Sequence, residues 1–146
     1  IRCTTTSECQ SLAPPDATFV CGPDGYCSGS TGAGDPAFML SVPENQFRDN
    51  YIFLTPADYR DDWFTAIVPD GTVLTLDGVV LPTTAYQSIS GTGWSIYHHD
   101  TSSLGSSDPA QAHTLSGTAP FGLQVYGYDC DVSYAYPGGL NLSPDG

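Results

Sequence analysis

The sequence predicts an all-β protein, an antiparallel β-sandwich of jelly-roll-like character with a small disulfide-stapled segment at its N-terminus. Three observations predict it. Beyond residue 34, short β-branched and aromatic runs are separated by turn residues about every eight to twelve positions, as in a sandwich or barrel. No stretch shows the helical period of apolar residues. Four of the five cysteines, Cys3, Cys9, Cys21 and Cys27, form a C-x5-C-x11-C-x5-C block, which reads as a disulfide framework made in an oxidising environment.

The block predicts a first unit at 1–30, a linker at 31–36 and a sandwich domain at 37–146, the linker being marked by the small-residue run Ser28-Gly-Ser-Thr-Gly-Ala-Gly34. The first unit has too few aliphatics for a core, so crosslinks must hold it. Among the three pairings that four cysteines allow, Cys3–Cys21 with Cys9–Cys27 is the working expectation; each loop contributes about 3 kcal/mol by loop-closure entropy. Zinc is the weaker rival, because zinc knuckles favour shorter spacings.

In the second unit the expected strands are Phe38–Val42, Asn50–Leu54, Trp63–Val68, Thr72–Leu76, Val79–Leu81, Tyr86–Ile89, Trp94–His98, His113–Leu115, Phe121–Tyr128 and Val132–Tyr136. Phe121, Leu123 and Val125 share one face of their strand, while Gln124, Tyr126 and Tyr128 share the other. Leu74 and Leu76 alternate with Thr75, and Asp77-Gly78 reads as a two-residue hairpin loop. A turn is expected at Pro120, and residues 100–112 read as a polar surface excursion.

Charge narrows the partners. Sixteen acids face three arginines and no lysine, a net charge of -13. That excludes a nucleic-acid binder, which needs a basic surface, and argues against anionic membranes. No apolar run reaches membrane-spanning length. With a 40% hydrophobic fraction the chain can fill a core. A chain opening at Ile1 without a leader is expected of a processed product or a fragment of a longer protein.

An ordered series of blocks carries a resemblance: Val73-Leu-Thr-Leu-Asp-Gly78, Gly91-Thr-Gly-Trp94, His113-Thr-Leu115, Pro120-Phe-Gly-Leu-Gln-Val-Tyr-Gly-Tyr128 and Val132-Ser-Tyr-Ala-Tyr-Pro-Gly-Gly-Leu140. Over about residues 37–142 the chain resembles the IgG Fc-binding protein N-terminal domain family. The cysteine block ahead of it is similar to short disulfide repeats of bacterial surface proteins. The resemblance implies a β-sandwich, secreted or at the cell surface, with a non-enzymatic role in adhesion or recognition of protein or glycan surfaces. Cys130 departs from the pattern.

The site candidates each have a bland rival. Asp58, Asp61 and Asp62 offer some of the six to eight oxygens that calcium takes, but surface acids also simply solubilise a fold. No other cofactor is expected. Tyr126, Tyr128, Tyr134 and Tyr136 suit an interface, and equally suit cross-strand packing. Cys130 is read as a buried thiol, a disulfide partner or an intermolecular link. His98 and His99, adjacent on a strand, face opposite ways and cannot share a metal; His113 reads as a packed or hydrogen-bonded residue. No hydrolase motif appears, and Asn141-Leu-Ser143 is a nominal glycosylation sequon. The expected function is adhesion or recognition; the alternative is a self-assembling subunit of an extracellular filament or surface layer, joined by strand pairing.

Overall fold

The computed structural model describes residues 4–10, 18–21, 23, 27–30, 35–56, 59, 61–101, 111–129 and 132–142. In chain order its elements are α1 (Thr6–Gln10), β1 (Thr18–Cys21), β2 (Cys27–Ser30), β3 (Arg48–Thr55), β4 (Asp61–Pro69), β5 (Leu74–Leu76), β6 (Val79–Val80), β7 (Tyr86–Ile89), β8 (Trp94–Asp100), β9 (Gln111–Asp129) and β10 (Val132–Pro137). The chain divides into two units, Ile1–Pro36 with Tyr128–Ser133, and Ala37–Gly127 with Tyr134–Gly146.

In the smaller unit, β1 and β2 form an antiparallel hairpin in which Cys21 lies opposite Cys27. The short helix α1 was not expected, yet its start is chemically explicit. Thr5 precedes it and Glu8 follows three residues later, forming half of a capping box: the Glu8 carboxylate accepts from the Thr5 N–H at 3.2 Å, while the Glu8 N–H bonds the Thr5 backbone carbonyl at 3.2 Å. The carboxylate also accepts from the Thr4 N–H at 2.7 Å, and these bonds hold the Glu8 pKa below its ordinary value, the Thr4 backbone bond foremost. Cys9 is buried, and Cys9 and Cys21 are both disulfide-bonded. No complete pair lies within the described residues, because Cys3 and the Cys27 side chain fall outside them.

In the larger unit the strands build a mostly antiparallel, curled sheet around β9. Among the described residues its order is β6-β5-β9-β4-β8-β7, with β3 and β10 also pairing β9. Around Leu115 and Ser116, β9 runs between β3 and β5: Leu115 is opposite both Tyr51 and Leu76. That part of β9 is flanked on both sides, so β4 and β10 pair along its later course. The expectation of two strands separated at Pro120 is thus corrected to a single nineteen-residue strand. The signal was partly right. The ladder to β3 jumps from Ser116↔Asn50 to Phe121↔Arg48, so the proline sits where cross-strand bonding is already interrupted and its missing N–H costs little.

Phe38–Val42, expected as a strand, takes no regular secondary structure. High β propensity alone does not make a strand without a partner ladder. The Asp77-Gly78 loop joins β5 to β6 as expected, with φ of 49° and 82°. Positive φ at both central residues is the type I′ geometry whose twist matches the flanking strands.

The core gathers one face of each strand: Tyr51 and Phe53 from β3, Phe64, Ala66 and Val68 from β4, Leu74 and Leu76 from β5, Tyr97 from β8, and Leu115, Phe121, Leu123 and Val125 from β9. Phe121, Leu123 and Val125 were expected on one face, and they are buried together.

Candidate interaction surface and buried polar networks

From Asn50 onward, side chains along β3 alternate. Tyr51, Phe53 and Thr55 are buried, whereas Asn50, Ile52 and Leu54 are exposed; Ile52 is 73% and Leu54 53% exposed. β9 is the one strand paired with β3 among the described residues. The far edge of β3 is partly closed by Tyr136, whose hydroxyl accepts from the Leu54 N–H at 2.9 Å and donates to the Leu54 carbonyl at 2.5 Å. Those two groups therefore point away from β9, and by the two-residue repeat so do those of Asn50 and Ile52. Next to them opens a cleft of about 260 Å³ lined by Arg48, Asn50, Tyr51, Ile52, Gly138 and Gly139. The arrangement offers main-chain donors and acceptors, an aliphatic strip and one guanidinium, in a chain with only three cationic side chains.

A second, wider concavity of about 440 Å³ is lined by Glu44, Phe47, Pro69, Gly93, Trp94 and Pro120. Phe47 and Trp94 meet edge to face at 5.9 Å within it. Phe47 is held there because β9 carries glycine at 122: a Cβ at that position would collide with the Phe47 ring.

Two polar networks lie inside the fold. In the first, the Asp77 carboxylate accepts from the Thr114 N–H at 2.8 Å and meets His113 Nδ1 at 2.8 Å. His113 Nε2 lies 3.2 Å from Thr55 Oγ1. A carboxylate only accepts, so Nδ1 carries a proton, and in the neutral ring Nε2 accepts from the threonine hydroxyl. His113 and Thr55 are buried. Partial burial alone would raise the Asp77 pKa, but the bonds from Thr114 and His113 outweigh it and hold it low.

In the second network, Tyr134 donates to Asp62 Oδ1 at 2.5 Å. Tyr59 and Tyr136 rings flank Tyr134 at 4.7 and 6.0 Å. Burial pushes the Tyr134 phenol well above its usual range, and the neighbouring Asp62 carboxylate adds to the effect. Burial also raises the Asp62 pKa, with Asp61 and Asp100 acting the same way against the Tyr134 bond and His113. Because the folded state favours protonated Asp62, its contribution is fully present below the ordinary carboxyl pKa and is lost as pH rises through the raised value. Asp62→Asn keeps an oxygen for Tyr134 without the charge. Its stability relative to the parent is expected to improve between about pH 3 and about pH 7, read by urea denaturation at both. Asp77 acts with the opposite sign, as does His99, whose pKa burial lowers against the pull of Asp100. Both lose stability on acidification.

The residues singled out from sequence are distributed as follows. Asp61 and Asp62 begin β4 rather than sharing a loop with Asp58, which lies outside the described residues, as does Cys130. Adjacent strand residues face opposite ways, and no group of three acids, histidines or cysteines suited to a metal occurs among the described residues. Tyr134 and Tyr136 are half-buried and turn their hydroxyls inward to Asp62 and Leu54, Tyr126 is half-buried, and Tyr128 is exposed. His98 bonds Thr65 Oγ1 at 2.9 Å, while His99 packs 5.1 Å from the Phe64 ring. The β3 edge and the Asp77–His113–Thr55 chain were not singled out. Asp77 was read only as a turn residue, and no sequence spacing links positions 55, 77 and 113.

No helix among the described residues is long and apolar enough to cross a membrane. No curated protein and no solved structure matches the chain at a significant level. Residues 18–127 match the family described as IgGFc binding protein. The match starts inside the cysteine block, earlier than the motifs implied, and nothing in the comparisons supports a likeness of residues 1–30 to a separate disulfide repeat. With three-quarters of its length matched in this way, the chain belongs to the IgG Fc-binding protein family.

Proposed function

We propose that the protein is a non-catalytic extracellular recognition module that takes an extended segment of a partner protein along the open edge of β3. The observation that supports this reading is that edge itself. Its outward-facing Asn50 and Ile52 border a cleft, and Ile52 and Leu54 stand exposed beside it. Strand addition draws affinity from main-chain bonds and specificity from alternate side chains. A family whose description is IgGFc binding protein fits a protein partner, and adhesion is the role such a contact serves outside a cell. In the same reading the two wings of the curled sheet act as the layers of a jelly-roll-like sandwich.

The probe is an immunoglobulin Fc fragment, with a glycan array alongside. Ile52→Pro removes a donor from the open edge and leaves the β9 ladder intact. Binding of Fc by the parent, weakened at least about tenfold in Ile52→Pro, is expected. Equal binding by the two proteins would exclude the β3 edge, and recognition of a glycan without any protein would overturn the reading.

A second observation favours the filament alternative. β6 is the opposite edge of the same wing, and Val79 and Val80 on it are 66% and 63% exposed. Two different edges that meet head to tail propagate rather than close. Sedimentation of the parent as a concentration-dependent polymer, abolished by Ile52→Pro, would select this role.

A further inference from the structure

The wider concavity, lined by Glu44, Phe47, Pro69, Gly93, Trp94 and Pro120, shares no lining residue with the cleft beside β3. Its two aromatic walls are fixed by the backbone around them. Glu44–Gln46 make a single 3₁₀ turn, and the Phe47 N–H closes it on the Glu44 carbonyl at 3.0 Å. Side chains three apart in such a turn eclipse, so Glu44 and Phe47 share a face. Gly122 leaves the Phe47 ring its seat, since a Cβ there would come within 2.5 Å of it. Trp94 opens β8 opposite Pro69 of β4, and its N–H donates to Thr92 Oγ1 at 3.1 Å. The two rings stand at 80° with centroids 5.9 Å apart, so they form a corner rather than a flat stack.

The polar character of this corner is one-sided. Glu44 is exposed, and its carboxylate has no hydrogen-bond or ionic partner among the described residues. A carboxylate only accepts, and Pro69 and Pro120 have no N–H to offer. An anion would meet a like charge and few donors. A cation meets a carboxylate and two ring surfaces, of which an indole is the strongest. Arg48, next to Phe47 in sequence, lines the other cleft. Asp70 follows Pro69, and its N–H bonds the Gly93 carbonyl at 2.9 Å, which adds a second negative charge nearby. With sixteen acids against three arginines, the whole chain draws positive charge toward itself. Of the cationic side chains, arginine fits best. Its plane stacks on an aromatic face, its fork matches a carboxylate, and it holds water less tightly than an ammonium.

We propose that this concavity is a second recognition site, which receives an arginine side chain of a partner protein. The guanidinium stacks on the Trp94 indole, with Phe47 at its side, and donates to the Glu44 carboxylate. Both rings and the turn that carries Glu44 are already in place, so little ordering opposes binding. The site is independent of strand addition at β3.

The test titrates the isotope-labelled full chain with the tripeptide Gly-Arg-Gly, capped at both ends, and with its citrulline counterpart. Citrulline keeps nearly the same shape without the charge. The readout is the Trp94 indole N–H resonance, assigned by its disappearance in Trp94→Phe. The arginine peptide is expected to shift that resonance saturably, and the citrulline peptide to leave it in place at about 10 mM. Glu44→Gln, at an exposed position, should weaken binding of the arginine peptide by at least about fivefold while the protein stays folded. Ile52→Pro should leave the titration unchanged, which separates this site from the β3 edge. A resonance unmoved by about 10 mM arginine peptide, an equal response to citrulline, or a response lost in Ile52→Pro but kept in Glu44→Gln overturns the proposal. So does a shift produced by a neutral oligosaccharide and not by the arginine peptide, which would mark a glycan site instead.

Discussion

Phe121→Ala is expected to lower the unfolding free energy by about 3–5 kcal/mol, the usual cost of emptying a fully buried aromatic site. Phe121 is completely buried and packs edge to face on Tyr51 at 4.9 Å. It also lies across Gly117, where a Cβ would come within 2.8 Å of its ring. The local backbone is tied as well, since the buried Tyr51 hydroxyl donates to the Phe121 carbonyl at 2.5 Å. Collapse into the space is therefore resisted, and the cost should fall toward the upper end. Urea denaturation of parent and variant checks this; a loss below about 1.5 kcal/mol would mean that β9 moves to refill the site.

Gly127→Val is expected to cost about 3 kcal/mol or more, through two effects that add. A Cβ on Gly127 would run into the Tyr134 ring and approach Asp62 Oδ1 to 2.6 Å. Neither neighbour is the loose end of a surface side chain, because the Tyr134 ring lies between Tyr59 and Tyr136 and its hydroxyl bonds Asp62. Overpacking of this kind costs about 1–3 kcal/mol. Displacing Tyr134 also takes a hydrogen bond from a buried carboxyl, about 1.5–3 kcal/mol when the acceptor is charged. Tyr134→Phe removes the second contribution alone, so the difference between the two variants isolates the first. Equal losses from both would show that the valine is accommodated.

Much of the fold was legible in local pattern. The alternation in β3 and β9 and the Asp77-Gly78 turn each follow from neighbouring residues, because strand period and turn dihedrals are set within a few positions. The bond from the Thr5 N–H to the Glu8 carboxylate is equally local, but the helix it starts has five residues, too few to show apolar periodicity. Pro120 misled because a proline marks a lost donor, not a chain reversal, and β9 places it where no donor is required.

The candidate sites were legible only in fragments. The sequence by itself determined that the chain is β-rich, acidic and unsuited to nucleic acid, since composition and period are additive properties of residues. Tertiary structure alone decided that, among the described residues, β3 is paired with a strand along one edge, that Tyr136 closes part of the other, and that Thr55, Asp77 and His113 converge. The reason is physical. Strand order and register depend on which distant segments share hydrogen bonds, and the meeting of positions 55, 77 and 113 comes from the pairing of β3 and β5 on either side of β9.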